Sequence, residues 1–278
     1  MRTVFMLFLF ATPLTAAEPR VLKDVPYAPP ENPRQVLDVY APPTGENHPT
    51  VFYIHGGGWK RGDKGSVGRK PQVFTDRGFV LVSTNYRFVP NVTIPEMTGD
   101  IAKSIRWVHD HAKEFGGDPN RIIVMGHSAG AHLAALVCTD ERYLKAEGLS
   151  LANLKGCVPV DVSMYDIPKR VKDGGSVPVA LIEELFGKTE AAQKNVSPAA
   201  HATKGKNIPA FLILHVAERP DTKAQSEHFA SALSAAGVSA KVIPAVGKTH
   251  GSINADLGLP DDKPTKALYE FLDAVLKK

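Results

Sequence analysis

Only 2 cysteines occur in 278 residues, too few for a small scaffold held by disulfides, and no Cys-x-x-Cys pair offers a structural zinc site. A dominant charge of one sign is also missing. The 33 lysines and arginines are interspersed with 29 aspartates and glutamates for a formal net charge of +4. Without a polybasic stripe, nucleic acid and anionic membrane surfaces are excluded as first choices of partner. No apolar run approaches the ~20 residues of a membrane-spanning helix, so stable membrane insertion is not expected. Repeats and low-complexity tracts are absent, which excludes a solenoid. What is present, 43% hydrophobic and 22% charged residues with 23 glycines and 22 prolines, is the composition of a globular domain stabilised mostly by packing.

Residues 1–17 read as an address. Arg2 precedes an apolar stretch over 4–11, and Thr15-Ala16-Ala17 supplies the small residues read by a signal peptidase, so cleavage is expected after about Ala17. The mature chain, 18–278, is expected as one domain, secreted or periplasmic. Export bears on the cysteines. Cys138 lies about 15 Å along a helix expected to begin near Ser128, at 1.5 Å per residue, and Cys157 opens the next strand at that same end of the sheet. Two readings stay open, a Cys138–Cys157 disulfide and two separately buried thiols.

Strand and helix patterns alternate along the chain. Strands are expected over 35–40, 50–54, 79–84, 121–125, 157–162, 210–217 and 240–246. Helices are expected over 70–77, 96–115, 129–137, 222–236 and 265–276; the second has Ile101, Ile105, Val108 and Ala112 at helical spacing. This alternation implies an α/β fold, a mostly parallel sheet with helices on both faces. The segment 163–207 interrupts it, holds a short helix near 179–186, and is placed where a cap shaping a substrate site would sit.

Four motifs carry chemistry. Gly126-His127-Ser128-Ala129-Gly130 is a G-x-S-x-G pattern between an expected strand and helix, where a sharp turn lifts a serine hydroxyl out of the sheet. His55-Gly56-Gly57-Gly58-Trp59 follows the strand at 50–54. Its glycines let backbone N–H groups converge on an oxyanion, with Gly57, Gly58 and Ala129 as donors. Trp59 is expected either to wall the substrate pocket or to serve as a packed anchor, and His127 lies beside the serine. Among 10 histidines, only His250 follows the last core strand in a loop able to return to Ser128, and no metal site is indicated. For the acid, the turn after 210–217 offers Asp221 and Glu218; Asp221 is favoured, with Glu218 pairing to Arg219 at the surface. Asp161 and Tyr165 follow the strand before the insertion. They are expected to reach substrate or to form a structural hydrogen bond at the root of the insertion.

These residues resemble the α/β-hydrolase esterase/lipase family, close to its hormone-sensitive-lipase-like and bacterial feruloyl/acetyl esterase branches. The resemblance rests on His55-Gly56-Gly57-Gly58-Trp59 with Gly62-Asp63-Lys64, on Trp107-Val108 before Phe115-Gly116-Gly117-Asp118-Pro119, on Gly126-His127-Ser128-Ala129-Gly130, and on His250. It implies an eight-stranded sheet, serine-dependent hydrolysis without a cofactor, and a cap at 163–207. The expected activity is hydrolysis of small-acyl carboxylic esters, acetyl or feruloyl esters on polysaccharide among them. An arylformamidase-like amidase and a non-catalytic hydrolase-fold binding protein are the alternatives. Oligomeric state is not legible.

Overall fold

The computed structural model describes residues 18–175 and 177–277; the expected leader at 1–17 lies outside them. Eight strands form one sheet: β1 (Arg20–Pro26), β2 (Val36–Ala41), β3 (His48–Ile54), β4 (Val80–Thr84), β5 (Gly117–His127), β6 (Leu154–Val160), β7 (Ala210–Val216) and β8 (Ala240–Ala245). Their order is β1-β2-β4-β3-β5-β6-β7-β8. β1 and β2 run antiparallel to their neighbours, and every pairing from β4 through β8 is parallel. Buried on both faces, the central strands are runs of apolar residues, as in Val51 to Ile54 and Ile122 to Met125.

Alternation along each strand feeds two cores. Phe52, Ile54, Val124 and Ile213 pack on one face with Ile101, Ile105 and Leu133. Tyr53, Ile123, Met125 and Leu212 pack on the other with Phe74, Leu268 and Leu272. The helix Ile94–His111 begins at a capping box in which Thr93 Oγ1 accepts the Glu96 N–H and Glu96 accepts the Thr93 N–H. The helix Ala129–Thr139 is buried all round, so it carries no amphipathic stripe.

Two departures from the sequence expectation have physical causes. β1 was not expected because its exposed Arg20, Lys23, Asp24 and Pro26 show no apolar alternation; it is held at the sheet edge by backbone pairing to β2 and by Lys23 Nζ at 2.8 Å from Asp38. Among its described residues, the segment 163–207 holds four helices rather than one: Ile167–Asp173, Val179–Phe186, Glu190–Asn195 and Pro198–His201. Three of them have seven residues or fewer, too short to show periodicity. Cys138 and Cys157 are buried free thiols, with Cys157 Sγ 3.5 Å from the Ala134 carbonyl.

Candidate active site

The carboxyl ends of β3, β5, β6 and β7 converge where the chain reverses from strand to loop. At the end of β5 the turn demands small residues. A Cβ on Gly126 would stand 2.2 Å from the Gly130 carbonyl oxygen, and one on Gly130 would stand 2.2 Å from that of Ile54. Ser128 occupies the bend between strand and helix at φ 56°, ψ −123°, a backbone region that L-residues rarely adopt. Its N–H donates to the Val160 carbonyl at 2.9 Å, which ties the turn to β6.

His250 reaches this serine from the loop after β8. Ser128 Oγ donates to His250 Nε2 at 3.0 Å, and His250 Nδ1 donates to Asp161 Oδ2 at 2.6 Å. The structure thus brings Ser128 and His250 together, and it sets neither Asp221 nor Glu218 on that imidazole. The carboxylate on His250 is Asp161, one residue beyond β6, whereas Asp221 lies 3.6 Å from Arg170 Nη2 and accepts the Thr222 N–H at 2.9 Å. Glu218 does not pair with Arg219; it accepts the Gly247 N–H at 3.0 Å. Arg219 donates instead to Asp161 Oδ2. Asp161 Oδ1 accepts the Val216 N–H at 2.9 Å. Burial pushes the Asp161 carboxyl up, but the His250 and Val216 hydrogen bonds and the nearby Arg219 charge outweigh it and hold it down at about 2.

The glycine loop at 56–58 lies opposite. Gly57 has φ 132°, and a Cβ there would sit 1.9 Å from the Arg61 carbonyl oxygen. Among the described residues, the N–H groups of Gly57, Gly58 and Ala129 have no intramolecular acceptor, so they remain available to an incoming oxygen. His55 braces the loop: Nδ1 donates to the Gly56 carbonyl at 2.7 Å, and the Tyr86 hydroxyl donates to the His55 carbonyl at 2.9 Å. Desolvation lowers the His55 imidazole to about 4, so it stays neutral. Asn85, which sequence reasoning missed, braces the far end of the loop, donating to Asp63 at 3.0 Å and accepting the Lys64 N–H at 2.7 Å. Its only sequence signal is its place directly after an apolar strand.

The cleft above Ser128 has a volume of about 650 Å³. Its lining side chains are polar or aromatic, Lys60, Arg61, Asp63, Ser66 and Asn254 together with Tyr53 and the histidines, with glycines between them; no aliphatic side chain takes part. His127 lines it, and its Nε2–H donates to the His250 carbonyl at 2.8 Å. Burial, then the adjacent His250, lowers the His127 imidazole to about 4. Trp59 and Tyr165 do not line the cleft. Trp59 is buried edge-on against His132 and Phe186, ring centroids 5.6 and 5.0 Å away, and acts as a packed anchor. Tyr165 is fully buried and stacked on Phe229 at 4.6 Å, because the chain turns inward after Asp161. Among the lining residues none comes from 163–207; that segment meets the glycine loop from the side, through Phe186 on Trp59 and Glu184 at 2.6 Å from Lys60 Nζ.

Comparison with known proteins agrees with this architecture. Isoprenylcysteine alpha-carbonyl methylesterase ICME of Arabidopsis thaliana is 29% identical over 244 residues, 83% of this chain and 56% of that relative. The chain therefore spans just over half the length of such curated relatives. Among solved structures, esterase B from Lactobacillus rhamnosis superposes with a TM-score of 0.77 at 22% identity, over 94% of this chain and 87% of that one. A thermophilic esterase from Thermogutta terrifontis with butyrate bound gives 0.67 at 26% identity, over 95% and 94%. Residues 37–233 match the model of the BD-FAE family, and with the eight-stranded, mostly parallel sheet and the strand-turn-helix serine, the chain belongs to the BD-FAE family of α/β-hydrolase-fold esterases.

Proposed function

We propose that this protein is a serine carboxylesterase for small-acyl esters of hydrophilic alcohols, including acetyl or feruloyl groups on polysaccharide. The observation that carries the reading is the chain of contacts from Ser128 Oγ through His250 to the buried Asp161 carboxylate, at 3.0 and 2.6 Å. In this reading Ser128 attacks the ester carbonyl as its proton passes to His250 Nε2. The oxyanion is met by the N–H groups of Gly57, Gly58 and Ala129. Collapse of the tetrahedral intermediate expels the alcohol, protonated by His250, and leaves the acyl group on Ser128 Oγ. Water, deprotonated by His250, then releases the acid. Asp161 keeps the proton on Nδ1, so that Nε2 is the free base.

The cleft supports the substrate class. Its lining carries no aliphatic residue that would mark a dedicated long-chain channel, and Lys60, Arg61, Asp63, Ser66 and Asn254 offer hydrogen bonds to hydroxyl-rich alcohols. The butyrate in the Thermogutta terrifontis esterase supports a short acyl group. With the leader expected at 1–17, the enzyme would meet such substrates outside the cytoplasm.

The test is initial-rate hydrolysis of p-nitrophenyl esters from acetyl to palmitoyl, and of acetylated and feruloylated saccharides, by wild type and Ser128→Ala. Activity should fall with acyl length and drop in the variant by at least about 10³-fold. Equal rates in the two proteins would overturn the role of Ser128, and a preference for palmitoyl would overturn the small-acyl reading.

A further inference from the structure

Arg219 sits at the N-terminal cap of the helix Pro220–Ala235, its main chain pinned where its N–H donates to Val216 O at 3.2 Å and its carbonyl accepts the Thr222 hydroxyl at 3.0 Å. From there its Nη1 donates to Asp161 Oδ2, the same oxygen that takes the His250 Nδ1–H, and stands 3.0 Å from that nitrogen. Two cationic or potentially cationic groups therefore share one buried carboxylate oxygen. The ordinary relay requires only the imidazole there.

We propose that Arg219 is a positioning residue for the catalytic relay: its guanidinium fixes the Asp161 carboxylate on His250 and sets a positive charge 3.0 Å from Nδ1, where it opposes a second one on the imidazole. The inference rests on the esterase reading above. Charges less than about 5 Å apart interact strongly when one of them is buried, and here the Asp161 side chain has no exposure while Arg219 keeps 29%.

Among the described residues, Arg219 is the cation within hydrogen-bond distance of the His250 ring, while Lys60 and Arg61 line the same cleft. Asp161 approaches from the end of β6 and His127 from the end of β5, the latter kept neutral and bonded to the His250 carbonyl rather than its ring. Glu218, on the same turn as Arg219, is engaged with the Gly247 N–H. Lys70, from the helix Lys70–Asp76, donates to the Asn254 carbonyl at 2.8 Å. Lys248, on the histidine's own loop, is held by Asp256 and Asp262 at 2.8 Å each. Asp221 stands behind Arg219, its Oδ1 4.0 Å from Nε, where it offsets part of the guanidinium charge.

The experiment is the pH dependence of kcat/KM on p-nitrophenyl acetate for wild type, Arg219→Gln, Arg219→Lys and Asp221→Asn, with Ser128→Ala as control. In Arg219→Gln the acid limb should move up by about one pH unit, a tenfold loss on that limb, while Arg219→Lys keeps it within about 0.3 of a unit of wild type. Asp221→Asn, which unmasks the guanidinium, should move the limb the other way, and it tests the idea even if Arg219→Gln does not fold. An unmoved limb in Arg219→Gln, an equal shift in Arg219→Lys, or an upward shift in Asp221→Asn would each overturn the proposal. If Ser128→Ala retains wild-type turnover, the esterase reading itself fails, an outcome separate from all three.

Discussion

Replacing Asp161 by asparagine keeps the shape of the side chain and removes its charge. Oδ1 would still accept the Val216 N–H, but the second position would become an NH2 facing both His250 Nδ1–H and Arg219, three donors with no acceptor among them. The imidazole escapes by moving its proton to Nε2, and that tautomer cannot accept from Ser128. A loss of about 10³–10⁴ in kcat is expected. Stability should fall as well. The Asp161 carboxyl sits at about 2 in the fold against an ordinary 3.8, a gap worth on the order of 2 kcal/mol at 1.36 kcal/mol per pH unit. Because the folded value is the lower, that stabilisation is complete above about pH 4 and is lost as pH falls toward 2. Asp161→Asn should therefore lower Tm by about 4–8 °C at pH 7, and the difference from wild type should shrink below about pH 4 and nearly close only at about pH 2. Paired measurements of kcat on p-nitrophenyl acetate and of Tm by scanning fluorimetry across pH 2–7 decide it. A variant within tenfold of wild type, accompanied by collapse in Asp221→Asn or Glu218→Gln, would refute the assignment.

Gly57→Ala should lower kcat by about 10²–10³ with a smaller change in KM, because a Cβ 1.9 Å from the Arg61 carbonyl must displace the oxyanion loop; steady-state kinetics on a short-acyl ester check it, and unchanged turnover would remove Gly57 from the oxyanion site. Gly99→Ala should act on stability alone. Gly99 lies inside the helix Ile94–His111 with open space where its Cβ would go, so about 0.5–1 kcal/mol of stabilisation is expected, read as a Tm rise of about 1–4 °C at unchanged kcat/KM.

Legibility in the sequence followed how local each determinant is. The strand-turn-helix at Ser128 and the glycines at 56–58 are demanded by contacts within a few residues or between adjacent strands, such as Gly130 against Ile54, and their residue types show it. Seven of the eight strands declared themselves by apolar runs or alternation. β1 did not, because an exposed edge strand needs only backbone pairing and tolerates Arg20, Lys23 and Asp24.

The carboxylate that meets His250 was hidden in the sequence for a deeper reason. A triad carboxylate has to reach one nitrogen of one imidazole, and the ends of β6 and β7 are adjacent in the sheet, so either strand end can supply it. The turn after β7 displays two carboxylates in four residues and draws attention. Asp161 is a single aspartate after an apolar strand, and in one dimension that is also the pattern of a structural hydrogen bond. What separates the two ends is charge arrangement in space. The turn after β7 contributes a cation, Arg219, and that cation is satisfied by the carboxylate from β6 while its neighbours Glu218 and Asp221 are engaged by the Gly247 N–H and by Arg170. Acid and counter-cation thus come from opposite sides of one strand boundary, a pairing that exists only once β6 and β7 lie side by side. The same pairing sets Asp161→Asn and Arg219→Gln apart: the first should lower turnover at every pH, whereas the second should act chiefly by moving the acid limb.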